Sequence, residues 1–476
     1  GPSSYLGSLS YALKHALRLQ PAILEGYLKY GGRPFRIPTV SGWQIILSSP
    51  ELLKEVGRTS EDVLSFAEWA NSSFQTKYTL AHGPHNTQPH IPVIQNRLTR
   101  NLVRLFPDIR DEVVAAFDET LMLHNNEWKA IPAHRMALNV SARTINRIFV
   151  GLPYCRNPEY VDLCIRFTTD VAKAAIVLKV TPKILRPIVA QYFTKANKNI
   201  EHMHTLLGPM ITERLRLEAE LGDEWMEKPN DLLSWLMDEV PAAERTPYEL
   251  GRLILIINFA AIHTLSQALF NLATYPIYVS QLREEVTRVV NAEGWSKTAL
   301  GKMVRLESFL AETMRVDGMF LLSMQRKAMR DVTLSDGTFI PKGAYPAVAT
   351  HVRHVNTAIY GEDAETFNPW RFLTTKDGVI DSLGDNEDED TEDQRTVRNK
   401  AVTPSEDWLV FGYGRHACPG RFFVVNELKA MLAHVLLSYD IKLTDDAQGN
   451  RPANLEFGHN RVANQRAKVM IRRRAD

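Results

Sequence analysis

The chain has 476 residues, 45% of them hydrophobic, with 56 Lys plus Arg against 55 Asp plus Glu and a net charge of +1. That length supports a large core, and a charge so near zero gives no electrostatic footing for nucleic acid as a partner. Three cysteines, Cys155, Cys164 and Cys418, make no disulfide framework and suit a reducing compartment, and no run approaches the ~20 apolar residues of a membrane-spanning helix.

Gly1-Pro2-Ser3-Ser4 carries no initiator Met and reads as a protease scar, so a natural segment is expected to precede it. Residues 5–30 set Leu6, Leu9, Leu13 and Leu17 beside Lys14 and Arg18. This is the pattern of an amphipathic helix, suited to a membrane surface or to packing on the protein. Residues 1–33 are therefore expected to be an N-terminal amphipathic linker and 34–476 a single domain, since no later stretch divides the chain. Short strands are predicted at residues 34–38 and 43–47, and Ser49-Pro50-Glu51 opens a helix. Residues 61–92 read as an irregular stretch anchored by Phe66, Trp69, Phe74 and Tyr78. Helical pattern resumes from His90 to Leu105, carrying Arg97, Arg100 and Arg104, and again over 133–221. Cys155 and Cys164 have no nearby His pair and read as structural thiols rather than zinc ligands.

Thr246-Pro247-Tyr248-Glu249 announces a long helix: an N-cap, a Pro in the first turn and a capping-box Glu. Its apolar run from Leu253 to Leu272 is apolar nearly all round and predicts a buried central helix. The polar interruptions are Asn258, His263, Thr264, Ser266 and Gln267. A helical Thr ordinarily bonds back to a carbonyl. Glu312 and Arg315 stand at i and i+3, by themselves a pair worth on the order of 0.3 kcal/mol. A β-rich part follows, with Arg326 ahead of it and a hairpin signal at Asp336-Gly337. His351 and His354 read as loop polar residues, not a metal site, and Arg371 lies in Phe367-Asn368-Pro369-Trp370-Arg371-Phe372. Residues 374–407 hold seven acids between Asp385 and Asp393 and read as a solvated acidic surface insertion.

The last motif is Phe411-Gly412-Tyr413-Gly414-Arg415-His416-Ala417-Cys418-Pro419-Gly420, followed by apolar positions Phe422, Val425, Leu428, Leu432 and Val435 on one helix face. Two glycines make a tight turn, and Pro419 suits a first helical turn. Cys418 then sits at a helix N-terminus, whose partial positive charge lowers a thiol pKa and favours a thiolate, a soft metal ligand. Two other readings stand beside this one. A lone Cys is ordinarily a small buried hydrophobe. Gly412-x-Gly414-x-x-Ala417, with Asp440 downstream, also fits a relaxed dinucleotide fingerprint, as in a dehydrogenase, but that fingerprint needs a βαβ unit, and no βαβ series precedes the loop.

The loop F-G-x-G-x-H-x-C-x-G resembles the haem-ligand loop of the cytochrome P-450 family. Ala260-Ala261-Ile262-His263-Thr264 resembles its oxygen-activation motif, with His263 where an acid is usual. Glu312-x-x-Arg315 and Arg371 resemble its structural triad, and all stand in the family's order. The runs Asn139–Gly151 and Cys155–Tyr160 are similar to a fungal branch. The resemblance implies a mainly α fold with a small β region, the haem between the long helix and the Cys loop. It implies haem b on Cys418 as axial thiolate, propionates held by Arg326 and His416, and proton delivery by Thr264 with His263. The family's propionate-binding Trp is missing, which leaves its place to His90 or Arg97. Residues 61–92 would line the substrate space. The implied activity is monooxygenation of an apolar organic substrate, a terpenoid, other secondary metabolite or aromatic xenobiotic. The alternative is a haem-thiolate rearrangement without dioxygen. Electrons would come from NADPH through a diflavin reductase docked on Arg100, Arg104, Arg415, Arg421 and Lys429. The implied setting is a monomer on the cytosolic face of the endoplasmic reticulum membrane.

Overall fold

Among the described residues helices predominate and six small sheets lie between them, as the mainly α reading expects. The computed structural model describes residues 4–15, 18–39, 42–81, 88–123, 126–261, 265–375, 378–379, 396–397 and 401–475. Strands Phe35–Thr39 and Gly42–Leu47 form where predicted and pair antiparallel, and the second runs parallel to Tyr345–Val348. Ser49 caps the helix Pro50–Arg58, its Oγ accepting from the Leu52 N–H at 3.3 Å. The hairpin at Asp336-Gly337 joins Val332–Thr333 to Phe339–Ile340, with Gly337 at φ +84°.

The N-terminal region is helical, as the amphipathic pattern over residues 5–30 predicts, but divided in two. It forms two helices, Tyr5–His15 and Gln20–Tyr30, the second begun by Pro21. Leu19, Ala22 and Ile23 are buried with Phe35, Ile37, Ile46, Leu321 and Ala347, so residues 19–23 belong to the packed body. Residues 61–92 are also more ordered than expected. Ser65 caps a helix Phe66–Phe74 by accepting from the Glu68 N–H at 2.9 Å, and Thr76–Thr79 follows. The acidic block 385–393 lies outside the described residues.

The large core gathers around the long apolar stretch, described as Pro247–Ala261 and Leu265–Thr274. Ala133–Phe149, Pro158–Val180 and Ala196–Leu221 pack against it. Its buried Asn258 is tolerated because the interaction is reciprocal: Asn146 Nδ2 donates to Asn258 Oδ1 at 2.8 Å and Asn258 Nδ2 to Asn146 Oδ1 at 3.1 Å. Thr246 caps the helix by accepting from the Glu249 N–H at 3.2 Å. The Glu249 carboxylate, however, pairs with Arg252, which takes it from the expected capping box. Cys155 and Cys164 are fully buried, and burial pushes both thiols up to about 12, as inert structural thiols require.

Behind the Cys loop stands the helix Val304–Val316, buried from Arg305 to Arg315. Here the i, i+3 pair is far from a surface pair. Arg315 Nε and Nη2 each donate to the Glu312 carboxylate at 2.7 Å, with both side chains fully buried. Arg371 Nε reaches the same carboxylate at 3.1 Å and Asn368 N–H at 2.9 Å. The remaining Arg315 donors go to the carbonyls of His354, Ala364 and Thr366. Arg371 also grips Asp363 at 2.7 Å, and that hydrogen bond holds the Asp363 carboxyl below its usual range. His351 and His354 lie on a short buried helix, Thr350–His354, rather than in a loop. Burial pushes both imidazoles down to about 3.

Removing the shared carboxylate leaves the buried Arg315 guanidinium without its carboxylate partner and Arg371 with Asp363 alone. Glu312→Ala should therefore cost about 3–5 kcal/mol of stability in urea unfolding; a loss below about 1 kcal/mol would show that the network is not structural.

Candidate functional site

The Cys loop is a ladder of its own backbone bonds. Gly412 N–H donates to Leu409 O at 3.0 Å, Ala417 N–H to Gly414 O at 3.1 Å, and Cys418 N–H to Phe411 O at 2.8 Å. The turn needs its glycines, since Gly412 and Gly414 sit at φ +72° and +75°. Gly414 is held for a second reason. A Cβ there would lie 2.3 Å from the carbonyl oxygen of Gly57, on the helix Pro50–Arg58. A Cβ on Gly57 would in turn meet the Tyr413 ring at 3.0 Å. Two glycines thus let the loop lie directly against that helix.

The helix after the loop spans Arg421–Ser438, with Gly420 as its cap. Pro419 therefore stands outside the first turn, contrary to expectation. Val425, Leu428, Leu432 and Val435 are buried as predicted, but so are Glu427, Lys429 and His434. Lys429 does not face solvent: its Nζ bonds Glu307 at 3.0 Å. Arg421 Nη1 donates to Cys418 O at 2.8 Å and its Nε to Val402 O at 2.9 Å. Both are struts of the loop rather than free surface charges.

Cys418 is half-buried within this frame. Burial raises its pKa from the ordinary thiol value, and the Gly420 and Arg421 N–H groups and the Arg421 charge pull the other way. The helix end was expected to win. It does not, because removing a thiolate from water costs more than these groups return.

Arg326 and His416 are brought together around Phe66. The Arg326 guanidinium lies 5.7 Å from that ring and the His416 ring 6.2 Å. Arg326 is 2% exposed; Nη1 donates to Gln325 O at 2.8 Å, and Nε has no hydrogen-bond partner among the described residues. Burial pushes its pKa down to about 10, opposed by the charge of Glu61. His416 Nε2 lies 3.2 Å from Glu61, and burial, then the Arg326 charge, lowers its pKa. Arg97 does not join this pair. It is exposed and turned to Asp238 at 3.3 Å, where a local acid already answers its charge. His90 opens the short helix His90–Pro92. His263 and Thr264 lie outside the described residues.

From Phe66 a ring ladder runs to the central helix. Phe66 meets Trp69 at 5.5 Å, Trp69 meets Phe74 edge-on at 5.9 Å, and Phe74 meets Phe259 edge-on at 5.2 Å. Taken one at a time in the sequence, Phe66, Trp69 and Phe74 look like loop anchors. The helix signal at Ser65-x-x-Glu68 was the available clue that they share a face.

A sequence model of the family described as cytochrome P-450 matches residues 25–466. The chain is 38% identical over its full length to cytochrome P-450 monooxygenase 103 of Postia placenta, of which it covers 93%. It is 33% identical to cytochrome P-450 monooxygenase CYP512U6 of Ganoderma lucidum, the match covering 95% of this chain and 86% of that one. It is 30% identical to cytochrome P-450 monooxygenase AN1598 of Emericella nidulans, over 94% and 82% respectively.

The residues present fit a haem. A buried guanidinium with an unpartnered Nε suits a propionate carboxylate, which would accept bidentately. A thiol whose burial resists ionisation becomes a thiolate when a metal ion supplies the compensating charge.

Gly414→Ala adds a Cβ against fixed backbone, whereas at Gly412 nothing lies nearer than 3.7 Å. Gly412→Ala should cost about 1–3 kcal/mol for its backbone conformation alone. Gly414→Ala should in addition displace the loop and lose most of the red-shifted Soret band of the reduced CO complex. Equal bands in the two variants would contradict the packing argument.

Proposed function

The chain belongs to the cytochrome P-450 family and is an oxidoreductase of its monooxygenase kind; from that premise we propose that it hydroxylates or epoxidises an apolar organic molecule with dioxygen and two electrons from NADPH. The observation that supports this best is Cys418, held in its loop with Arg326 and His416 close to the aromatic ladder. Haem bound there supplies the activation of dioxygen and the transfer of one oxygen atom, with the thiolate as electron donor. Arg326 and His416 would hold its carboxylates and so set its orientation. Trp69, Phe74 and Phe259 offer an apolar wall that positions a terpenoid or aromatic body and excludes water. Thr264 is the proposed carrier of protons, its hydroxyl passing them inward with His263 as a relay. A rearrangement without dioxygen would have no use for that threonine.

Electrons would arrive from a diflavin NADPH reductase. Arg100, Arg104 and Arg415 are exposed and suited to an acidic partner, whereas Lys429 and Arg421 are engaged in the fold. Among the described residues no helix is long and apolar enough to cross a membrane. The segment 180–193 nevertheless exposes Val180, Ile184, Ile188, Tyr192 and Phe193. That apolar surface supports the proposal of membrane contact at the cytosolic face of the endoplasmic reticulum.

Turnover with isotopically labelled dioxygen tests this reading in three preparations. The wild type should place one labelled atom in the product. Thr264→Ala should keep consuming NADPH while product falls about tenfold or more. Arg100→Glu with Arg104→Glu should slow reductase-driven turnover and spare peroxide-driven turnover. Unlabelled product would overturn the oxygen-insertion reading.

A further inference from the structure

Arg326 and His416 come from distant segments, and the stretch 61–68 joins them. Leu64–Ser65 pairs antiparallel with Lys327–Ala328, Ser65 opposite Lys327, which brings the stretch beside Arg326. Its three acids then divide. Asp62 faces Arg330 at 3.6 Å, Glu68 faces Lys327 at 3.3 Å, and Glu61 Oε1 lies 3.2 Å from His416 Nε2. Two of them answer cations of the neighbouring segment. Of the three, Glu61 is the one that reaches the Cys loop.

Glu61 is not a free surface charge, although its side chain is 43% exposed. Its Oε2 accepts from Ser65 Oγ at 2.6 Å and its Oε1 from the Phe66 N–H at 3.0 Å. Those bonds tie the carboxylate to the start of the helix Phe66–Phe74, whose positive end favours an anion. The His416 ring, met by Glu61 at its Nε2 edge, lies along the Phe66 ring with 23° between the planes. An imidazole held at one edge and on one face has little freedom to turn. The Arg326 guanidinium lies 5.7 Å from the same Phe66 ring. The Glu61 charge also acts on Arg326, opposing the fall in pKa that burial imposes.

We propose that Glu61 is a positioning residue for haem: it holds the His416 imidazole in place for a haem carboxylate, and its charge makes the iron harder to reduce. The second effect follows from sign. Reduced iron carries one positive charge fewer, and a carboxylate nearby disfavours that state. This rests on the reading that Arg326 and His416 hold the haem carboxylates, and it adds a side chain that acts through them.

The test uses the haem-loaded protein, with the midpoint potential from a dye-equilibrated redox titration and haem release measured into excess apomyoglobin. Glu61→Gln keeps an oxygen for the Phe66 N–H and drops the charge. Its potential should move to a more positive value, and the shift should shrink as salt is added. Ser65→Ala weakens the same helix start but keeps the Glu61 charge, so its potential should stay at the wild-type value. Glu61→Ala should release haem about threefold faster, the worth of one partly exposed charge pair. In a His416→Ala background the same change should add nothing, since Glu61 acts through that ring. An unmoved potential in Glu61→Gln, an equal shift in Ser65→Ala, or equal acceleration by Glu61→Ala in both backgrounds would overturn the inference. His416→Ala and Arg326→Ala test the reading beneath it. Release as slow as wild type from both would defeat that reading and this inference with it. Faster release from them with an unmoved potential in Glu61→Gln defeats this inference alone.

Discussion

Everything near Cys418 depends on the buried carboxylate of Glu312. It holds Arg315 and Arg371 at once, and the two guanidinium groups bind the carbonyls of His354, Tyr360, Asp363, Ala364 and Thr366. The segment 354–371 is thereby fixed against the helix Val304–Val316. From there the constraint passes forward. His354 Nε2 accepts from Leu409 N–H at 3.1 Å, Leu409 O accepts from Gly412 N–H at 3.0 Å, and Phe411 O accepts from Cys418 N–H at 2.8 Å. An unbroken path of neighbouring backbone and side-chain bonds joins the triad to the thiol. Burial keeps the His354 imidazole neutral, which leaves Nε2 free to accept.

A second strut meets the loop from its other end. Lys429 and Ala401 N–H share the Glu307 carboxylate at 3.0 and 3.3 Å, and Ala401 O accepts from the Trp408 indole at 2.9 Å. Buried ion pairs return little net stability, because desolvation offsets their attraction. Their use here is positional. Backbone carbonyls that a sheet or helix would otherwise satisfy are satisfied by guanidinium groups, so an irregular segment is held in one conformation.

The site was legible because each of its motifs is local. The glycines of 411–420, the order of Glu312, Arg315, Arg371 and Cys418, and the caps at Ser49 and Thr246 are all read within a few residues. What escaped reading joins distant segments. Nothing near Gly57 shows that Gly414 will rest on it. Lys429 lies off the predicted apolar face, yet the helix Arg421–Ser438 is enclosed by Thr99–Leu121, Val279–Glu293 and Val304–Val316, so its polar positions are buried too. The thiol pKa failed for a related reason: a helix end acts locally, whereas burial is set by the whole fold.

The central claim is that this frame exists to present Cys418 to iron. The most direct measurement is the CO difference spectrum of the reduced protein with Cys418→Ser beside wild type, at equal haem content. The account predicts a red-shifted Soret band in wild type that is lost in the variant. The same band in both would show that another residue binds the metal.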